Sequence, residues 1–168
     1  CVGKKTKQIK QFENLDKTYI GIMKLGCVTD SFDAETPEKE FKPYSHISKK
    51  IANNKFKEFI GNQTQKPPIF SAIKINGERL YKKARRGEID IDIKSRSIII
   101  YTLEILEFNP PLIKFQVCCS KGTYIRSLVH DIGSSLLCGA YLYSLKRIKV
   151  GEFHLENAIE IKDIVDSL

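Results

Sequence analysis

The chain has 168 residues, 42% hydrophobic and 29% charged, and its 28 Lys and Arg against 20 Asp and Glu leave a formal charge of +8. That composition excludes a disordered or collagen-like chain, and the length suits one domain that buries about 70% of its unfolded surface. No apolar run approaches the roughly 18 residues of a membrane-spanning helix, and the densest, residues 98–100, is strand-length.

Residues 4–15 read as a short helix, with Ile9, Phe12 and Leu15 at helical spacing. Lys17–Leu25 follows as a strand rich in β-formers and closed by Gly26. The acidic stretch 29–36 (TDSFDAET) is turn-forming, and Pro37 and Pro43 mark a loop. Ser45 or Ser48 then caps a helix to about residue 60, with Ile51, Phe59 and Ile60 inward and Gly61 as its stop. Residues 63–74 are extended, because Pro67 and Pro68 push their predecessors out of the α region.

Asn76-Gly77 signals a turn, and a basic helix over 78–86 ends at Gly87. Isoleucines at 89, 91 and 93 alternate as a half-exposed strand, and 97–108 is a longer one. Asn109-Pro110-Pro111 separates it from Leu112–Cys119, which predicts an antiparallel pair. Gly122 breaks that strand, and Thr123 caps a helix to 137 with Ile125, Leu128, Val129 and Ile132 inward. Ala140–Val150 is a strand and 156–168 a final helix. Strands outnumber helices without alternating regularly, so the expected class is α+β, a mixed, largely antiparallel sheet flanked by helices.

Five cysteines (Cys1, Cys27, Cys118, Cys119, Cys138) form no C-x-x-C, and His46, His130 and His154 have no metal-ligand spacing, so no metal site is expected. Reduced thiols fit a cytoplasmic protein. Positive charge gathers in three places: Lys4, Lys5, Lys7 and Lys10; Arg79, Lys82, Lys83, Arg85 and Arg86 around Tyr81; and Lys146, Arg147 and Lys149. A charge run is usually a solvated face, but basic clusters interleaved with aromatics point to nucleic acid. Arg126 stands between Ile125 and Leu128 near the start of a helix, so a partly buried guanidinium is expected. It needs a carboxylate or phosphate partner. A structural ion pair with Asp131 is one possibility. The other is a role in orienting a catalytic carboxylate.

Four ordered segments carry a resemblance. Residues 17–36 (KTYIGIMKLGCVTDSFDAET) resemble K-x-Y-x-x-x-x-x-L-G-x-x-T-D-T-x-D, and 65–87 resemble Q-x-P-P-x-x-S-A-x-K-x-x-G-x-x-L-Y-x-x-A-R-x-G. Residues 120–128 match S-x-G-T-Y-I-R-S-L, and 139–153 resemble G-A-x-L-x-x-L-x-R-x-x-x-G-x-F. Together they are similar to the tRNA pseudouridine synthase B family. The resemblance implies that family's fold with its N-terminal part missing, a catalytic domain at 1–153 and a helix or tail at 154–168.

The implied reaction flips the T-loop uridine at tRNA position 55, cleaves its glycosidic bond and rejoins the base through carbon-5. It implies no cofactor, a tRNA T-loop and T-stem as partner, and a monomer with no obligate protein partner and no membrane. Arg126 matches the arginine that pairs with the catalytic aspartate. Tyr19 matches the residue that packs on the flipped base and takes part in removing its carbon-5 proton. Leu145 matches the apolar residue beside the base and Lys7 a lysine near the site. Tyr81, Arg79, Lys82, Arg85 and Arg86 fall in the substrate-contacting segment, where cations meet phosphates.

The family nucleophile lies in H-T-G-x-L-D-P, just before a segment that residues 1–7 (CVGKKTK) resemble. It is therefore expected upstream of Cys1, and Asp16, Asp30 and Asp33 are not assigned to it. Residues 1–168 alone are expected to be inactive. The alternative is a non-catalytic tRNA-binding or chaperone module.

Overall fold

The protein is described from a computed structural model, which covers residues 3–88 and 91–160. Its centre is strand β1 (Lys17–Leu25), where Tyr19, Met23 and Leu25 alternate with outward-facing Ile20, Ile22 and Lys24. β1 lies between β6 (Leu112–Cys119) and β7 (Ala140–Val150), antiparallel to both. The six-stranded sheet has the order β2 (Gly61–Gln65), β5 (Arg96–Asn109), β6, β1, β7, β8 (Phe153–His154), and every neighbouring pair is antiparallel. The fold is α+β, as expected; among the described residues its strands pair only antiparallel, with one isolated parallel bridge from Asp33 to Leu142 of β7.

Residues 91–95 form no strand, although Ile93 is buried. Ile89 lies outside the described residues.

A separate hairpin of β3 (Lys74–Ile75) and β4 (Glu78–Arg79) turns at Asn76-Gly77 and leads into the short α3 (Leu80–Arg85). The first helical segment is shorter than expected, a 3-10 turn at Gly3–Gln8 followed by α1 (Ile9–Glu13). α2 (Lys49–Glu58) is capped by Ser48, whose hydroxyl accepts from Ile51 N. It buries Ala52 and Phe56, one turn apart, rather than Ile51 and Ile60, which are exposed. The expected final helix falls mostly on residues 161–168, which lie outside the described residues; among the described ones there is a 3-10 turn at Leu155–Asn157.

α4 (Ile125–Ser135) covers the inner face of the sheet with Ile125, Leu128, Val129 and Ile132, which join Met23, Phe115 and Val117 in one core. Gly133 permits that contact, since a Cβ there would stand 2.3 Å from Ala140 N. Thr123 does not cap α4: its hydroxyl donates to Ser120 O, and the cap residue is Tyr124, which makes no side-chain cap bond. Gln65, from the end of β2, supplies what the helix lacks. Its side-chain amide accepts from Tyr124 N at 2.8 Å and donates to Tyr124 O at 3.0 Å.

Candidate active site

Four segments meet at the start of α4. The first is the turn 29–36, where Ser31 is fully buried and Thr29 and Ser31 are both tied to Asp33 O. Ser31 Oγ also donates to Asp33 Oδ1 at 2.6 Å, and Glu35 N donates to the same oxygen at 3.0 Å. Phe32 holds φ at +63°, a region bulky residues avoid at a cost of about 1–3 kcal/mol. Two contacts hold it there. Leu142 N on β7 donates to Phe32 O, and the Phe32 ring stacks on His130 of α4 at 3.8 Å between centroids. The outcome is that Ser31 O and the Asp33 carboxylate both face α4.

Arg126, in the first turn of α4, receives them. Its Nη1 donates to Asp33 Oδ2 at 2.7 Å and to Ser31 O at 3.2 Å, and its Nη2 donates to Phe70 O at 2.8 Å. The two side chains keep only 22% and 18% of their surface exposed, so the pair is largely desolvated. Asp33, not Asp131, is therefore its ion-pair partner, and a carboxylate from within the chain already holds the guanidinium. A guanidinium carries five N–H donors. The Nε–H and one Nη2–H of Arg126 have no partner among the described residues.

Phe70 belongs to the strap that follows β2. Three attachments dock this strap on α4: the Gln65 amide on Tyr124, Ser127 Oγ donating to Lys66 O at 2.9 Å, and Arg126 on Phe70 O. Between strap and turn lies a cleft of about 400 Å³, lined by Asp33, Phe70, Ser71, Tyr124, Arg126 and, at one end, Tyr81 and Arg85. The structure thus brings two residues of the basic helix to the same cleft as Arg126, with the Arg85 guanidinium 5.5 Å from the Tyr81 ring centre.

Tyr19 and Leu145 do not line that cleft. Tyr19 is half-buried at the end of the core face of β1, opposite Arg147 on β7, and Leu145 stands opposite Gly21 with 42% of its surface exposed. Directly opposed residues of an antiparallel pair share a face, so Tyr19, Leu145 and Arg147 form one patch beside α4. Burial pushes the Tyr19 phenol up, with nearby Cys119 adding to it, while Arg147 pulls it down. By sequence Arg147 belongs to a basic cluster and to the 139–153 motif, and its position across from Tyr19 follows from the strand register.

Lys7 lies exposed in the N-terminal 3-10 turn. Arg79, Lys82 and Arg85 are exposed and make no ion pair among the described residues. Arg86 differs: it binds Glu78 through both Nη atoms, at 2.5 and 2.9 Å, and Glu88 through Nε and Nη2. On the far side of the 29–36 turn, burial lowers the His130 imidazole and pushes the Asp131 carboxyl up to about 6.

Residues 1–125 match the family described as "TruB family pseudouridylate synthase (N terminal domain)", and residues 126–168 match "tRNA pseudouridylate synthase B C-terminal domain". The chain belongs to the TruB family of pseudouridylate synthases, enzymes of the isomerase class. It is similar to proteins named tRNA pseudouridine synthase B: 43% identical over its whole length to that of Phocaeicola vulgatus and 44% to that of Flavobacterium johnsoniae, spanning 71% and 73% of them. Among solved structures, it superposes on a chain of "Crystal Structure of a Cbf5-Nop10-Gar1 Complex" with a TM-score of 0.71 and 28% identity, covering 99% of this chain and 40% of that one.

Proposed function

We propose that this chain carries the arginine-centred part of a tRNA pseudouridine synthase that acts in the cytoplasm, as a monomer, on the uridine at T-loop position 55. In the reaction, the N1–C1′ bond breaks and a C5–C1′ bond forms. Carbon-5 loses a proton and N1 gains one, so no redox partner or cofactor is required. The single observation that carries this reading is the fixed Arg126 guanidinium, bound to Asp33, Ser31 O and Phe70 O with two donors left over. Those donors suit a second carboxylate, which they would keep ionised and aimed.

Asp33 is not that second group. Its Oδ2 accepts from Arg126, and its Oδ1 accepts from Ser31 and Glu35, so both oxygens are occupied. The nucleophile is assigned to the part of its relatives that this chain does not span, and residues 1–168 alone form no pseudouridine. Tyr19 and Leu145 supply the apolar face that replaces base stacking after flipping. Tyr81, Arg79, Lys82 and Arg85 contact the RNA backbone, and Lys7 stands near the site.

The test is tritium release from a tRNA transcript labelled at uridine carbon-5, using the full chain as its gene encodes it. Release is expected from the wild-type transcript and not from one with cytidine at position 55. Release that ignores this change would overturn the specificity. Tight tRNA binding without release would favour a binding or chaperone module.

A further inference from the structure

We infer that Arg96 is an RNA-positioning residue that binds one backbone phosphate of the substrate beside the Arg126 turn. The inference rests on the functional reading above and deepens it, since neither the motif segments nor the three basic clusters include Arg96.

Register and packing fix where this side chain stands. Arg96 begins β5 directly opposite Gln65, the residue whose amide clamps Tyr124 N and Tyr124 O. Its guanidinium lies over the ring of that same tyrosine, 5.4 Å from the ring centre. It also lies close to Gly122, where an added Cβ would stand 3.5 Å from Arg96 Nη1. Gly122 is exposed and holds φ at +77°, so the turn keeps a bare backbone that a ligand can approach closely.

That guanidinium has no anion to pair with. Arg96 is half-buried, yet among the described residues it makes no ion pair and no side-chain hydrogen bond. A ring face attracts a cation without neutralising it or taking up its N–H donors. Partial burial of an unpaired charge is costly, and an anion that docks there offsets that cost. Arg126, by contrast, is already matched by Asp33.

The surroundings select a polyanion. Exposed Lys94, Ser95 and Ser97 flank Arg96 in sequence, and exposed Lys121 precedes Gly122, bonded to the neutral Asn14 side chain. Arg96 is not among the residues that line the cleft, although Tyr124 is. Its ligand therefore lies outside the cleft, which suits a passing RNA backbone better than a seated base. A guanidinium meets a phosphate through two N–H donors at once.

Arg96→Met keeps an unbranched apolar stem against Tyr124 and removes the charge. In the full chain it should weaken T-loop RNA binding by about tenfold and lower the salt slope by about 0.7–0.9, one phosphate, with Tm level or raised. A set of T-loop RNAs, each with one phosphate replaced by a neutral methylphosphonate, checks direct contact. One such replacement should weaken wild-type binding by the same factor and leave Arg96→Met indifferent. Equal salt slopes would overturn the inference, as would a wild type and variant that respond alike to every methylphosphonate. So would a lowered Tm with unchanged RNA binding, which would reduce Arg96 to packing on Tyr124. An Arg96-dependent slope in an enzyme that releases no tritium would count against the functional reading and leave the phosphate contact standing.

Discussion

Two cationic regions share one cleft and are built in opposite ways. Arg126 is largely desolvated and bonded to residues 56, 93 and 95 positions away in sequence, with Gln65 securing the helix turn that bears it. On the basic helix Leu80–Arg85 and its flank, Arg79, Lys82, Arg85 and Arg86 are solvated, and the ion pairs there, Arg86 with Glu78 and Glu88 and Lys83 with Glu88, are all local. A desolvated, multiply bonded guanidinium has one orientation, which chemistry at a fixed atom requires. Solvated side chains remain adjustable and screened by salt, which suits a phosphate backbone. The same charge serves two purposes, and burial separates them.

The sharpest way to break this contrast is at Arg126. Arg126→Lys keeps the charge but cannot hold three protein partners and a further carboxylate, so kcat in the full chain should fall by about 100- to 1,000-fold. Arg126→Met should in addition destabilise the fold by about 3 kcal/mol in urea unfolding, because Asp33 is left desolvated without its partner. A loss in KM alone would place Arg126 with the RNA-positioning cations.

Gln65→Leu should cost about 1–3 kcal/mol in the same measurement, since it strands the Tyr124 N–H at the start of α4, while Tyr124 O keeps its bond from Leu128 N. It should lower kcat as well, through the misplaced helix turn. A purely global effect, with native kcat in the folded fraction, would detach Gln65 from the site.

The wall behind the 29–36 turn offers a test in pH. The His130 imidazole is lowered by burial, so below its ordinary value near 6.5 the unfolded chain binds protons the folded chain resists, and stability falls as pH drops. Asp131, pushed up to about 6, has the opposite sign: the folded chain binds the proton more readily, and stability falls as pH rises from about 4 towards 6. Relative to wild type, His130→Phe should flatten the first slope and Asp131→Asn the second, read as Tm from pH 4 to 7.5. Changes of the same sign would contradict the direction of one of the two shifts.

The smallest effect separates two adjacent arginines. Arg85→Ala should weaken T-loop RNA binding severalfold and reduce the salt slope by about 0.7–0.9, one phosphate contact. Arg86→Ala should change the slope less, because Glu78 and Glu88 already hold its guanidinium. Equal changes would show that those carboxylates release Arg86 when RNA arrives.

Much of this molecule was legible before any coordinates. Lys17–Leu25, Leu112–Cys119 and Ala140–Val150 match their expected bounds, and the inward face of α4 is the one its 3.6-residue spacing dictates. Such features depend on neighbours a few residues apart, and the chain's order records them directly. The motif segments likewise marked Arg126 and the strap. What order alone did not decide was who meets whom. Asp33 lies 93 residues from Arg126 and Gln65 lies 59 from Tyr124, and nothing local pairs them. Nor could local patterning show that β2 would occupy the edge of β5, that Ile51 and Ile60 would face solvent, or that the Ser71 hydroxyl would be buried without a partner. Those outcomes were settled when sheet and helix closed on one core, because a buried polar group takes its partner from whichever segment the packing brings within reach.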